Sequence, residues 1–127
     1  MARRVLLICC LAAAGCGGGS SSPTTPSTPS APANPNTITI TASGVSPKQL
    51  TVAPGSRVLF VNNDTRAHEM ASDPHPDHQD CPPINSVGLL NPTQSRETTN
   101  LIDVRTCGFH DHQNPDNTSL KGQITVR

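Results

Sequence analysis

The chain has no tryptophan and no tyrosine, and only two phenylalanines among 127 residues, so its optical background is low. It has no excess charge. Nine Lys and Arg balance nine Asp and Glu, and no basic stripe of the kind that follows a phosphate backbone is present, which argues against a nucleic-acid partner. No apolar run reaches the roughly 20 residues a membrane-spanning helix needs. There is no G-x-S-x-G, no H-E-x-x-H and no phosphate-cradling glycine loop. The chain therefore reads as a non-enzymatic protein. Thirteen prolines leave little room for helix.

What is present begins with a leader. Arg3 and Arg4 precede a short apolar run, Val5 to Ala14, of the kind that directs export. Ala13-Ala14-Gly15-Cys16 follows, and it resembles a bacterial lipobox, although Ala13 stands where Leu is usual. The resemblance implies cleavage after residue 15 and lipidation of Cys16. Acyl chains hold a protein on a membrane because each buried methylene contributes about 0.8 kcal/mol. The expected location is thus the bacterial cell envelope, lipid-anchored, with the domain facing the periplasm or exterior. Loss of Arg3 and Arg4 leaves seven basic residues against nine acidic, a net charge of −2. Cys9 and Cys10 leave with the leader and Cys16 is blocked, so Cys81 and Cys107 remain in an oxidising compartment.

Residues 16–36 carry the lipidated cysteine and a Gly-, Ser-, Thr- and Pro-rich stretch that cannot bury enough apolar surface to fold. They read as a disordered tether. Residues 37–127 form the domain, 91 residues with a small core that a metal or a disulfide would reinforce. Its periodicity is two. Ile38 and Ile40 alternate with threonines, Leu50-Thr51-Val52 alternates before a Pro54-Gly55 turn, and Arg57 to Val61 reads as a strand buried on both faces. Further strands are expected over 95–101, 103–107 and 123–126, with residues 72–94 as one long irregular stretch. Short strands between turn signals indicate an all-β sandwich.

All five histidines lie between His68 and His112, on segments expected to be loops at strand ends. Cys107-Gly108-Phe109-His110-Asp111-His112 is the densest stretch. A thiolate and two imidazoles so close suit copper or zinc, and His68 can close the site from a neighbouring strand.

The run Ser46 to Asp64, then His68, resembles the cupredoxin pattern, in which a P-x-x-L-T-V-x-x-G strand pair leads to a strand ending in N-N and then a copper-binding histidine. Cys107-x-x-His110 and the closing Gly122 to Val126 strand match the family's C-terminal end. The resemblance covers nearly all of 37–127. It implies a Greek-key β-sandwich with copper held by His68, Cys107 and His110. The position matching the family's axial Met is Leu120, which cannot coordinate, and the loop before it is long. His112 is then a candidate fourth ligand, Met70 a candidate axial ligand with core packing as the alternative, and Asp111 an acceptor that orients a ring.

Two alternatives stay open at Cys107. As a thiolate it makes a type 1-like site. Paired with Cys81 it closes a loop of about 26 residues, worth roughly 3.5 kcal/mol in a chain-entropy account, and leaves an all-nitrogen type 2 site of His68, His110 and His112. His75-x-x-His78-x-x-Cys81 has metal-binding spacing inside a Pro- and Asp-rich segment. It reads first as a solvated loop, and otherwise as an auxiliary rim that captures copper or docks a partner. The functional expectation is a monomeric copper-binding envelope lipoprotein that transfers single electrons to a redox partner. The alternative is a copper-handling protein that exchanges the metal with a partner protein.

Overall fold

The computed structural model describes residues 34–127. The expected leader, Cys16 and most of the tether lie outside the described residues. Among those described, no helix is long and apolar enough to cross a membrane.

The alternating segments form nine strands: β1 Thr37–Thr41, β2 Gly44–Ser46, β3 Gln49–Val52, β4 Leu59–Asn62, β5 His68–Ser72, β6 Gly88–Leu90, β7 Ser95–Glu97, β8 Thr106–Asp111 and β9 Gly122–Val126. One helical turn, α1 Pro82–Asn85, lies between β5 and β6. The strands make two sheets, in the orders β2-β1-β4-β7 and β3-β9-β8-β5-β6. The pairs β1–β4 and β3–β9 are parallel and the others antiparallel.

The core fills the space between the sheets. Ile38, Ile40 and Phe60 enter from the first sheet, and Met70, Leu90, Phe109, Ile124 and Val126 from the second. The two phenylalanines meet edge to face, with ring centroids 5.3 Å apart, a favoured aromatic geometry. Met70 is thus core packing, the second of its two expected roles.

Several expectations need correction. β4 is not buried on both faces: Phe60 and Asn62 are buried while Leu59 and Val61 are half-buried, because only one face of this sheet meets the other. The strand expected over 95–101 stops at Glu97. The stretch 72–94 contains α1 and β6. The strand expected over 103–107 starts later and runs on through Asp111, so His110 lies within a strand rather than in a loop after it. His68 likewise opens β5. The length of β8 decides the geometry of the site.

Candidate metal centre

In an extended strand successive side chains point to opposite faces. Cys107, Phe109 and Asp111 on β8 are fully buried and face the interior between the two sheets. Gly108, His110 and, one residue past the strand, His112 belong to the other face. A Cys-x-x-His spacing brings both side chains to one metal only if the chain turns between them. Here the ladder Ala71↔His110 and Ser72↔Phe109 keeps it straight. The expected set of His68, Cys107, His110 and His112 is therefore divided among three places.

Cys107 is bonded to Cys81, across a sequence separation of 26. Its sulfur is a disulfide sulfur, so the thiolate expectation is corrected in favour of the pairing. Leu120, at the place of the family's axial ligand, is buried in a turn of 3₁₀ helix over Thr118–Leu120.

His68 is fully buried, and both of its ring nitrogens are taken. Nδ1 is hydrogen-bonded to Asp111 Oδ2 and Nε2 to Asp64 Oδ2, each at 3.0 Å. With each ring nitrogen held against a carboxylate oxygen, neither is left open to a metal. The two carboxylates also sit on opposite sides of the ring and do not converge on a point. His68 is thus removed from the ligand set. The turn that places Asp64 is built by Asn62, whose side chain donates to Arg66 and Leu90 carbonyls and accepts from the Asp64 N–H. The hydrogen bond from His68 lowers the Asp64 carboxyl to about 2 against the cost of burial, with Thr65 and Arg66 adding to the effect. For Asp111, burial works against ionisation. Hydrogen bonds from His68, Asn114 and the backbone N–H groups of Glu69 and Gln113 outweigh it, and the carboxyl lies below the usual range.

The remaining four histidines come together. Ligand atoms of His75, His78, His110 and His112 all lie within 4.8 Å of one another. Two nitrogens bound to one ion at about 2.0–2.1 Å lie no more than about 4.2 Å apart, so small rotations of the outer rings close the set. His78 Nε2 and His112 Nδ1 are already 3.1 Å apart, and the ring centroids are separated by 4.8 to 5.5 Å.

His110 carries the clearest sign of a missing partner. It is 1 % exposed, and its Nε2 is a buried nitrogen with no hydrogen bond. Such groups are rare because burial removes water without replacing it. The other nitrogen, Nδ1, donates to Asp73 Oδ1 at 2.6 Å. That bond fixes the tautomer and leaves Nε2 with its lone pair toward the cluster, the arrangement of a carboxylate-backed metal ligand. Asp73 fits because residue 108 is glycine: a Cβ there would lie 2.1 Å from Asp73 Oδ2.

His75 and His78 reach the cluster from the segment between β5 and α1. His78 has φ +53°, a left-handed conformation uncommon outside glycine. It is held there from both sides. Its N–H donates to the Pro74 carbonyl at 2.8 Å, and its own carbonyl accepts from Ser72 Oγ and Asn85 Nδ2, each at 2.8 Å. Burial, then the neighbouring His112, His110 and His75, push the His78 imidazole below its ordinary value of 6.5. Each effect favours the neutral form that binds metal.

Two of the auxiliary candidates, His75 and His78, are half of the cluster. Cys81 is the cystine partner of Cys107, one of the two alternatives open for it. The signal for the histidines lay in their own spacing, set aside because the surrounding prolines and aspartates read as a solvated loop. His110 and His112, two of the expected ligands, lie in the cluster beside His75 and His78.

No protein-family model and no curated protein matches the chain. Solved structures do. The purple cupredoxin from Nitrosopumilus maritimus has 17 % identity and a TM-score of 0.53, covering 72 % of this chain and 98 % of that one. The oxidised plastocyanin of Dryopteris crassirhizoma has 18 % identity and a TM-score of 0.55, covering 72 % and 99 %. An amicyanin variant in the Cu(I) state has 16 % identity and a TM-score of 0.53, covering 72 % and 80 %. The two-sheet sandwich of this chain is thus the cupredoxin fold. Within it, the histidine cluster lies on the face of β8 opposite the cystine and the His68 network.

Proposed function

We propose that this chain is a copper-binding protein of the cell envelope whose metal centre is His75, His78, His110 and His112. The observation that carries the reading is the orphaned Nε2 of buried His110, on a ring that clusters with three other imidazoles and is backed by Asp73. Imidazole nitrogen suits copper and zinc alike. Copper is favoured by the fold's likeness to a protein named as a purple cupredoxin and to an amicyanin variant in a Cu(I) state. With Cys107 in a disulfide, the centre is an all-nitrogen, type 2 site suited to holding and exchanging the metal. Anchoring through Cys16 and export to the bacterial envelope belong to the same proposal and rest on the lipobox resemblance.

The test is to load the chain with Cu(II). The expected result is one copper per chain with nitrogen hyperfine structure and no intense visible thiolate band. His110→Ala then loses the bound copper. A visible band abolished by Cys107→Ser, or full copper retention in His110→Ala, overturns the reading. Single-electron transfer through this centre is a second reading, favoured by the rigid seat of His110 on β8. Voltammetry of the copper-loaded protein separates the two, because a carrier gives a reversible couple.

A further inference from the structure

The Cys81–Cys107 bond does more than close a loop. Cys81 follows His78 by three residues, and Cys107 precedes His110 by three. The two halves of the histidine cluster therefore hang at equal reach from one S–S bond. His110 and His112 are held by the β5–β8 ladder, including the bond from His112 N–H to the Glu69 carbonyl at 2.7 Å. His75 and His78 have no ladder. Their segment leaves β5 at Ser72, is bonded to β8 at Asp73, whose N–H donates to the Gly108 carbonyl at 3.0 Å and whose carboxylate accepts from His110, and is next fixed to β8 at Cys81. Between Asp73 and Cys81 it is held by local hydrogen bonds, by the His78–His112 contact and by the exposed Asp80–Arg105 ion pair, a kind of contact that contributes little by itself.

The bond is also approachable. Cys107 is fully buried, but Cys81 keeps 4 % exposure, and both line a surface cleft with Pro82, Pro83, Ile102 and Arg105. Ile102, on its rim, is 70 % exposed.

We infer that Cys81–Cys107 is a thiol-exchange site, opened by a dithiol through this cleft, and that opening it loosens the His75–His78 half of the metal centre. The inference rests on the four-histidine reading above. One thiolate of the dithiol attacks the Cys81 sulfur, and Cys107 leaves as thiolate. The second thiolate of the same molecule then attacks its own sulfur in the mixed disulfide and releases Cys81. Two electrons pass from dithiol to cystine, the dithiol's two protons end on Cys81 and Cys107, and the reductant departs as a disulfide. The freed segment must then be ordered anew by each metal ion that binds. Immobilising two histidine side chains and their backbone weakens binding roughly ten- to hundredfold.

Zinc is the probe, because it has no redox chemistry of its own. The full chain is reduced with dithiothreitol, freed of it without air, and titrated with Zn(II) beside the oxidised chain. His110→Ala measures zinc bound elsewhere. The expected result is His110-dependent binding roughly ten- to hundredfold weaker after reduction and restored on reoxidation. The Cys81→Ser/Cys107→Ser chain should match the reduced one. Amide exchange should rise over residues 74–80 and not in β1 or β4. Equal affinity in both states, or tighter binding after reduction, overturns the inference. So does general loss of protection in β1 and β4, since the bond would then hold the fold and not the segment. If even the oxidised chain binds no zinc through His110, the four-histidine reading itself has failed.

Discussion

At position 108 the side chain is a single hydrogen, and the carboxylate of Asp73 occupies the space a methyl group would need. Gly108→Ala should therefore leave β8 paired but push Asp73 off His110 Nδ1. Loss of such a backing carboxylate lowers metal affinity about ten- to a hundredfold, measurable by competition with a chelator. Asp73→Asn, which keeps an acceptor oxygen without the charge, should lose less. His78 supplies a second test. Its folded value lies below the unfolded 6.5, so between the two the unfolded chain binds more protons. Stability of the metal-free protein should rise with pH across that window and level off above about 6.5. In His78→Gln this part of the slope should vanish from urea titrations at successive pH values. Metal uptake should follow the same direction, increasing as protons leave the cluster.

At the scale of a strand, the controlling fact is where β8 ends. The sequence carried strong signals for most elements. Ile38 and Ile40, Leu50 and Val52, and Ile124 and Val126 alternate as strands should, and they lie in β1, β3 and β9. The end of β8 had no such mark. Gly108 serves to admit Asp73. His110-Asp111-His112 looks polar and loop-like, although His110 and Asp111 are buried on opposite faces of one strand. A shift of the strand's end by four residues moved His110 to the other side of the sheet from Cys107. Propensity cannot settle that, because the ladder to β5 is a long-range contact. The resemblance to cupredoxins was sound for the fold and misleading for the ligands for the same reason. The sheet offers one further test. Ala71 lies directly across from His110, where facing side chains are about 4.5–5.5 Å apart. A leucine there would crowd the ring from its own face of the sheet. Ala71→Leu should weaken zinc binding about tenfold while the disulfide and the far-ultraviolet β spectrum persist.

Across the whole molecule, one sheet separates two polar constellations that the sequence presents as a single histidine-rich window. Inside, His68 joins Asp64 and Asp111. On the other face, four imidazoles meet with one nitrogen unpartnered. The first is saturated and structural, and the second is open and suited to a ligand, so the two should respond oppositely to mutation. His110→Ala should abolish metal binding and leave much of the metal-free stability. His68→Ala should keep the four-histidine stoichiometry and lower the melting temperature of the metal-free protein by roughly 10 °C or more, since it takes from two buried carboxylates the donor they share. The acid response distinguishes this from a simple cavity. In the native chain the lowered carboxyls stabilise the fold above the unfolded value near 4, and that contribution is lost as pH falls, for Asp64 through about 2. Without His68 the same burial that opposed ionisation of Asp111 acts unopposed by its strongest hydrogen bond. The carboxyls are then depressed less, and the rise of stability with pH is shallower. The deficit of His68→Ala against the native chain should be largest above about pH 5 and should shrink as pH falls through the unfolded value near 4 toward about 2. A deficit that stays constant from about pH 5 to about pH 2 would mean that His68 acts by filling space and not by pairing the two carboxylates.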